Sequence, residues 1–151
     1  MEASPDDGIE VVRDLAAAPA DVFEAWTTAE RFARWFGGPA VEVPLDDLDY
    51  APVAGGTWAA TMVLPDGARI EWVGEVLEVV PPERLVLTMT DEPASEARAR
   101  LVVELAPVGG GTRMVFRQQT PGFTAEQRAA TAAGWGTFFD ELEAGLPPAS
   151  R

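Results

Sequence analysis

The chain has 151 residues, of which 47% are hydrophobic and 24% charged, a balance typical of one globular domain. Its formal net charge is −14 and all eleven basic residues are arginine, so neither nucleic acid nor an anionic membrane surface is an expected partner. Histidine and cysteine are absent, which removes the commonest general base, the usual zinc ligands and any disulfide. We therefore predict no catalytic residue, no metal site and no cofactor.

The N-terminal third is predicted to form one strand and two helices. Residues 1–7 lack the basic start and apolar stretch of a secretory signal, so we expect a cytoplasmic protein. Residues 8–15 are rich in β-branched side chains and predict a strand. Pro19 suits the first turn of a helix, and the capping-box pattern of residues 27–30 predicts that a second helix begins there. The inward-facing residues of these helices are Val22, Phe23, Trp26, Phe32, Trp35 and Phe36.

The middle of the chain is predicted to form short antiparallel strands. Residues 41–50 are acidic and read as a weak edge strand or a loop, without the ligand spacing of a calcium site. Turn signals then separate strands over 57–64, 68–80, 84–90, 97–105 and 112–119. The strand arginines Arg98, Arg100, Arg113 and Arg117 occupy alternate positions, so we expect them on a solvated face.

The final element is predicted to be a long helix. Residues 124–127 match a capping box, and the helix is expected to end near Gly145. Its apolar stripe consists of Thr131, Trp135, Phe138, Phe139, Leu142 and Leu146. Gly134 and Gly136 each weaken a helix by about 1 kcal/mol relative to alanine, which predicts either close backbone approach or open space beside Trp135. Residues 8–146 are thus expected to form a single domain with flexible tails at 1–7 and 147–151.

Five motifs in register resemble one known family. They are Trp35-Phe36-Gly37-Gly38-Pro39, Gly55-Gly56-Thr57-Trp58 with Pro65-Asp66-Gly67, Gly74 with Val79-Val80-Pro81-Pro82-Glu83-Arg84-Leu85, Gly110-Gly111-Thr112-Arg113-Met114, and Gly134-Trp135 with Phe139 and Leu142. This set resembles the START-like (SRPBCC) superfamily, and within it the family named after the activator of the heat-shock-protein-90 ATPase. The resemblance implies an α+β helix-grip fold, in which a curved antiparallel sheet of about six or seven strands wraps around the long C-terminal helix. The family name also implies a link to the stress response.

The aromatic residues predict either an ordinary packed core or a lined cavity beneath the long helix. Alternation places Trp58, Ala60 and Met62 on one face of their strand, and Trp72 with Gly74 on the same face of the next. Because Ala60 and Gly74 are small, we expect gaps among the large rings, and the resemblance favours a cavity. The candidate ligand-binding residues are Trp35 and Phe36 near the mouth, Trp58, Met62, Trp72, Gly74, Met89 and Phe116 on the wall, and Trp135, Phe138 and Phe139 on the helix. Gln118, on the same apolar row as Phe116, would pair with a backbone group, with water or with the polar end of a ligand.

Three functions follow from these features. The leading hypothesis is non-enzymatic binding of a small apolar or amphipathic molecule by a monomer or homodimer. The second, implied by the family name, is a co-chaperone-like domain that acts on a heat-shock-protein-90-type ATPase through its surface. The third is an enzyme of the polyketide cyclase or dehydratase type, which would need Tyr50 or an inward-turned Glu71 or Glu78 as acid or base.

Overall fold

Six antiparallel strands form one sheet in a computed structural model that describes residues 8–50, 52–92, 94 and 98–146. The strands are β1 (Gly8–Leu15), β2 (Thr57–Val63), β3 (Arg69–Val80), β4 (Arg84–Met89), β5 (Ala99–Val108) and β6 (Gly111–Gln119). Their spatial order is β1-β6-β5-β4-β3-β2, so every hairpin from β2 to β6 joins neighbours. The expected tails, and the predicted start of β5 at residue 97, lie outside the described residues.

Three helices complete the α+β helix-grip architecture, which confirms the predicted fold class. They are α1 (Pro19–Thr27), α2 (Ala29–Trp35) and α3 (Ala125–Gly145). Since β1 lies at one edge of the sheet and β2 at the other, α1 and α2 belong to the connection between those two edges. Among the described residues, no helix combines the length and the apolar character needed to cross a bilayer.

The predicted capping box at residues 27–30 is wrong. Helix α1 continues through Thr27, whose hydroxyl donates to the Phe23 carbonyl at 2.8 Å. Thr28 is therefore the N-cap of α2, and its side chain makes no capping hydrogen bond. Glu30 falls one position too early in the helix to close the box.

The acidic stretch before β2 combines both predicted alternatives. Residues Leu45–Asp47 form a short 3-10 helix. On either side of it, single antiparallel bridges join Glu42 to Val63 and Asp49 to Ala59. This segment therefore runs along the outer edge of β2 and partly covers it.

The solvated face predicted for the arginines is confirmed for Arg113 and Arg117 and is wrong for Arg98. Arg113 donates two hydrogen bonds to Asp14, at 2.8 and 3.0 Å, across the β1–β6 pair. Arg117 bridges from β6 to Glu10 at 2.8 Å. The Arg98 side chain is only 22% exposed and lies against an interior cavity.

The predicted long helix and its capping box are confirmed. Thr124 accepts a hydrogen bond from the Gln127 backbone at 3.0 Å, and the Gln127 side chain accepts one from the Thr124 backbone at 2.8 Å. Arg13 of β1 ties the far end of α3 to the sheet, donating to Asp140 at 2.6 Å and to the Gly136 carbonyl at 3.2 Å. Of the predicted stripe, Trp135, Phe139 and Leu142 are buried, while Thr131, Phe138 and Leu146 are half-buried.

The aromatic core fills the space among α1, α2 and the C-terminal half of α3. The Trp26 ring lies 4.7 Å from Trp35, and 6.0 Å from both Phe116 and Phe139, measured between ring centroids. Phe32 extends this cluster towards the acidic segment through its ring contact with Tyr50 at 4.3 Å. The rings pack in stacked, tilted and edge-on pairs, and such contacts stabilise the core beyond the area that they bury.

The capping box provides a matched test of the assignment of α3. We expect Thr124→Ala to lower the free energy of unfolding by about 1 kcal/mol, because the backbone N–H of Gln127 loses its acceptor. Thr28→Ala is the control, since Thr28 occupies the same position in α2 without a side-chain bond. Urea unfolding of both variants measures the difference, and equal losses would contradict the assigned cap.

Candidate ligand-binding cavity

A cavity of about 700 Å³ opens between the sheet and the N-terminal half of α3. Strands β2, β4 and β6 end there, and β3 and β5 begin there, so the cavity occupies one end of the concave face. Its apolar lining includes Met62, Leu64, Ile70, Met89, Trp135 and Phe138. Exposed Asp91, Glu92 and Phe123 lie at its rim, with Arg98 beside them. The aromatic core closes the opposite end of the fold.

Gly134 keeps the helix side of this cavity open. A Cβ atom built there meets nothing within 4 Å, and the residue lines the cavity. Of the two explanations predicted for a helical glycine, open space beside Trp135 is therefore the observed one. At Gly136 the nearest atom to such a Cβ is a side-chain nitrogen of Arg13, at 3.8 Å, so neither glycine meets another backbone closely.

Six of the predicted ligand-binding residues line the cavity. They are Met62, Trp72, Met89, Gln118, Trp135 and Phe138. They come from β2, β3, β4, β6 and α3, so the predicted face of each strand is the one that meets the cavity. The ring of Trp135 also contacts Phe116 at 4.4 Å, which places this tryptophan on the boundary between cavity and core.

Five further candidates are packed in the core, and their predicted place on the mouth, wall or helix side of the cavity is wrong. They are Trp35, Phe36, Trp58, Phe116 and Phe139, each at most 2% exposed. The Trp35 indole donates to the Ala25 carbonyl at 2.9 Å, which fixes the ring between α1 and α2 instead of at a mouth. Phe116 lies against Trp26 and Trp135, two residues deeper along β6 than Gln118. These residues face the interior as predicted, but they lie at the end of the interior that the aromatic core fills.

The gap predicted at Gly74 is also wrong. A Cβ atom there would lie 1.8 Å from the Thr88 carbonyl oxygen and 2.6 Å from Nε1 of Trp58. That indole crosses the glycine to donate to the same Thr88 oxygen at 2.8 Å. Position 74 requires glycine because the backbone of β4 and the ring of Trp58 lie too close to admit a side chain. Ala60 is likewise buried at 2% exposure without lining the cavity.

Gln118 has its hydrogen-bond acceptor fixed by the helix. Its Oε1 accepts the indole N–H of Trp135 at 2.7 Å, a buried bond between β6 and α3. An indole nitrogen only donates, so the oxygen of this amide must face Trp135. The amide nitrogen of Gln118, a residue 9% exposed, is thereby turned away from that bond.

The groups predicted for acid–base catalysis are engaged elsewhere. The Tyr50 hydroxyl donates to the Trp26 carbonyl oxygen, and complete burial raises the pKa of this phenol far above its usual value. Glu71 accepts from the Thr61 hydroxyl at 2.9 Å, and Glu78 pairs with Arg84 at 3.0 Å. Neither carboxylate lines the cavity, so the inward orientation considered for them is wrong. Within the described residues, no cluster of carboxylates is arranged to hold a metal ion.

Several lining residues were not predicted as ligand-binding. They include Gly37, Val41, Leu64, Ile70, Asp91 and Arg98. Most of them lie at or next to a strand end, where sequence reasoning treats residues as turn or rim. The antiparallel strand order could have predicted these residues. It brings the ends of β2, β4 and β6 to one end of the sheet, together with the starts of β3 and β5.

Two glycine-to-alanine variants test this description of the interior. Gly74→Ala should lower the free energy of unfolding by about 1–3 kcal/mol or more, because β3 and β4 must separate to admit the methyl group. Gly134→Ala should raise it by up to about 1 kcal/mol, because the helix gains propensity and the methyl group meets no atom. Chemical denaturation of the two variants measures both shifts. A stable Gly74→Ala protein would show that the contact with Thr88 is not tight.

The family assignment comes from comparison with known proteins. The sequence model described as "Activator of Hsp90 ATPase homolog 1-like protein" (AHSA1) matches residues 16–146. No curated protein matches the chain at a significant level.

Solved structures share the fold over nearly the whole chain. A protein from Chromobacterium violaceum is 22% identical with a TM-score of 0.83, covering 94% of this chain and 98% of its own. The AHSA1 protein from Silicibacter pomeroyi is 24% identical with a TM-score of 0.80, covering 91% and 95%. An AHSA1-like protein from Aeromonas hydrophila is 23% identical with a TM-score of 0.75, covering 91% and 90%. Together with the helix-grip architecture, the match over residues 16–146 shows that the chain belongs to the activator of Hsp90 ATPase homolog 1-like family of the START-like (SRPBCC) superfamily.

Proposed function

We propose that this protein binds a small apolar or amphipathic molecule in the cavity between the sheet and α3, without altering it chemically. The observation that carries the proposal is the cavity itself, about 700 Å³ in volume with a largely apolar wall. That volume lies within the range of small-molecule pockets, roughly 300–1,000 Å³.

The size of the space argues against a packing defect. Protein interiors pack as densely as organic crystals, and voids larger than a water molecule are few. The cavity is open to solvent at its rim, so water contacts its apolar wall until a ligand covers it, and covering that wall is favourable. Met62 and Met89 on the wall have flexible side chains that can adapt to the shape of a bound molecule.

Binding is favoured over catalysis by the positions of the titratable side chains. Tyr50, Glu71 and Glu78 all have protein partners away from the cavity. Among the described residues, the charged ones that line it are Asp91, Glu92 and Arg98, and both carboxylates are exposed at the rim instead of facing the apolar floor. This arrangement supports retention of a ligand more than acid–base chemistry on it.

A cavity-filling variant tests the proposal directly. N-phenyl-1-naphthylamine, an uncharged apolar fluorophore, should bind the wild-type protein at a single site and raise its melting temperature. Gly134→Leu should weaken that binding roughly tenfold or more, because the added side chain occupies the cavity from the helix side.

The matched control is Ala133→Leu, which adds a similar side chain on the exposed face of the same helix turn. It should leave the affinity unchanged. Both variants should fold, since leucine is a good helix former and neither position meets a neighbouring backbone. Equal affinities for wild type and Gly134→Leu would place the fluorophore outside the cavity and contradict the proposal.

A second candidate, stimulation of an Hsp90-type ATPase, is carried by the description of the family. Such a role would use a surface, so Gly134→Leu should stimulate the ATPase of the host's Hsp90-type protein as strongly as the wild type does. Steady-state ATP hydrolysis with and without each variant measures this. An unchanged rate with the wild-type protein would rule the candidate out.

A further inference from the structure

We propose that the occupant of the cavity is uncharged and carries a hydrogen-bond acceptor, such as a ketone, ester or amide carbonyl, that receives the side-chain amide N–H of Gln118. This inference rests on the proposed function, because it specifies the chemistry of the molecule that the cavity binds. The polarity of the ligand is inferred from the polar groups of the cavity wall, some of which already have hydrogen-bond partners in the protein.

The orientation of Gln118 makes it a hydrogen-bond donor towards the cavity. Its Oε1 is occupied by the indole N–H of Trp135 at 2.7 Å, and an indole nitrogen cannot accept. Its Nε2 makes no hydrogen bond to any described residue, and Gln118 lines the cavity. This nitrogen is not fully buried and its residue lines the cavity, so it is accessible from the cavity and can donate to an acceptor of a bound molecule.

The tryptophan N–H groups are not available to a ligand in the cavity. Four of the five indole N–H groups have acceptors in the protein, namely Trp26 with Met114, Trp35 with Ala25, Trp58 with Thr88 and Trp135 with Gln118. The fifth, that of Trp72, is buried without a partner among the described residues, and its ring lines the cavity. Because this nitrogen is fully buried, a ligand in the cavity does not contact it, which leaves Gln118 Nε2 as the donor for the carbonyl.

The charges at the rim argue against an anionic ligand. Asp91 and Glu92 are exposed there, and Arg98, the arginine that lines the cavity among the described residues, lies 4.0 Å from the Glu75 carboxylate. The chain as a whole carries a net charge of −14. An anion entering the cavity would lose its hydration while approaching carboxylates, which is unfavourable. A neutral carbonyl satisfies the Gln118 donor without that penalty.

Three probes with the same number of carbon atoms test the inference on the wild-type protein. They are hexanophenone, a ketone; hexylbenzene, a hydrocarbon; and 6-phenylhexanoate, a carboxylate. We expect hexanophenone to bind roughly threefold to tenfold more tightly than hexylbenzene, the effect of one neutral hydrogen bond. Phenylhexanoate should bind more weakly than either. Displacement of N-phenyl-1-naphthylamine measures all three affinities.

A substitution then assigns the preference to one residue. Gln118→Met retains an unbranched side chain of similar length but removes the donor, so the ratio of the two neutral-probe affinities should fall to about one. Arg100→Met removes an exposed donor from β5 at a residue that does not line the cavity, and it should leave the ratio unchanged. In the wild-type protein, the side-chain amide protons of Gln118 should shift in NMR spectra with hexanophenone and less with hexylbenzene. The NMR measurement uses only the wild-type protein, so it tests the inference even if Gln118→Met does not fold.

Each result separates this inference from the proposed function. Binding of none of the three probes overturns both. Equal affinities for hexanophenone and hexylbenzene, or tightest binding of phenylhexanoate, overturn the inference and leave ligand binding supported. A preference that survives Gln118→Met, or is lost in Arg100→Met, overturns the assignment to Gln118.

Discussion

The hydrogen bond between Trp135 and Gln118 joins helix to sheet at the boundary between a filled and an open interior. Its length is 2.7 Å, and both side chains are at most 9% exposed. A buried indole N–H without an acceptor costs about 1–3 kcal/mol, so the bond holds α3 in one position over β6. The Trp135 ring then contacts Phe116 and Phe139 on the core side, and Phe138 on the cavity side. The position of this one ring therefore determines where packing ends and open space begins.

Helices α1 and α2 supply the side chains that fill one end of the concave face. The other end stays open because α2 ends at Trp35. Trp26 and Trp35 bring their rings into the concave face beside Phe139. After Trp35 the chain turns away through Gly37 and Gly38, both with positive φ of +95° and +85°. Such angles are readily available only to glycine, so a third helical turn is not formed there. The space beyond is left to β2, β3 and the N-terminal half of α3, and this space is the cavity.

The sequence predicted the elements and the faces of the fold, but only half of the residues predicted for the site line the cavity. The capping box at Thr124 and the turn glycines are local signals, so helix α3 and the hairpins could be predicted. Alternation has a period of two and reports which face a residue occupies, not how far along the strand it lies. Trp58 and Met62 were therefore equivalent in the sequence, although Trp58 packs over Gly74 and Met62 lines the cavity. Only the alignment of strand ends across the sheet distinguishes them.

Glycine was the most ambiguous signal, because one residue type serves two opposite physical purposes. At Gly74 the missing side chain permits contact with Thr88 and Trp58, and at Gly134 it leaves a volume empty. The first increases packing and the second reduces it. In a helix interior, glycine is less stable than alanine by about 1 kcal/mol, and Gly134 gains no contact that offsets this. A chain optimised for stability alone would place alanine or leucine there, so the structure gives up folding free energy at the position that keeps the cavity open. That loss is explained if the space is occupied, since a ligand that binds the native state adds stability, which grows with the logarithm of the ratio of ligand concentration to Kd.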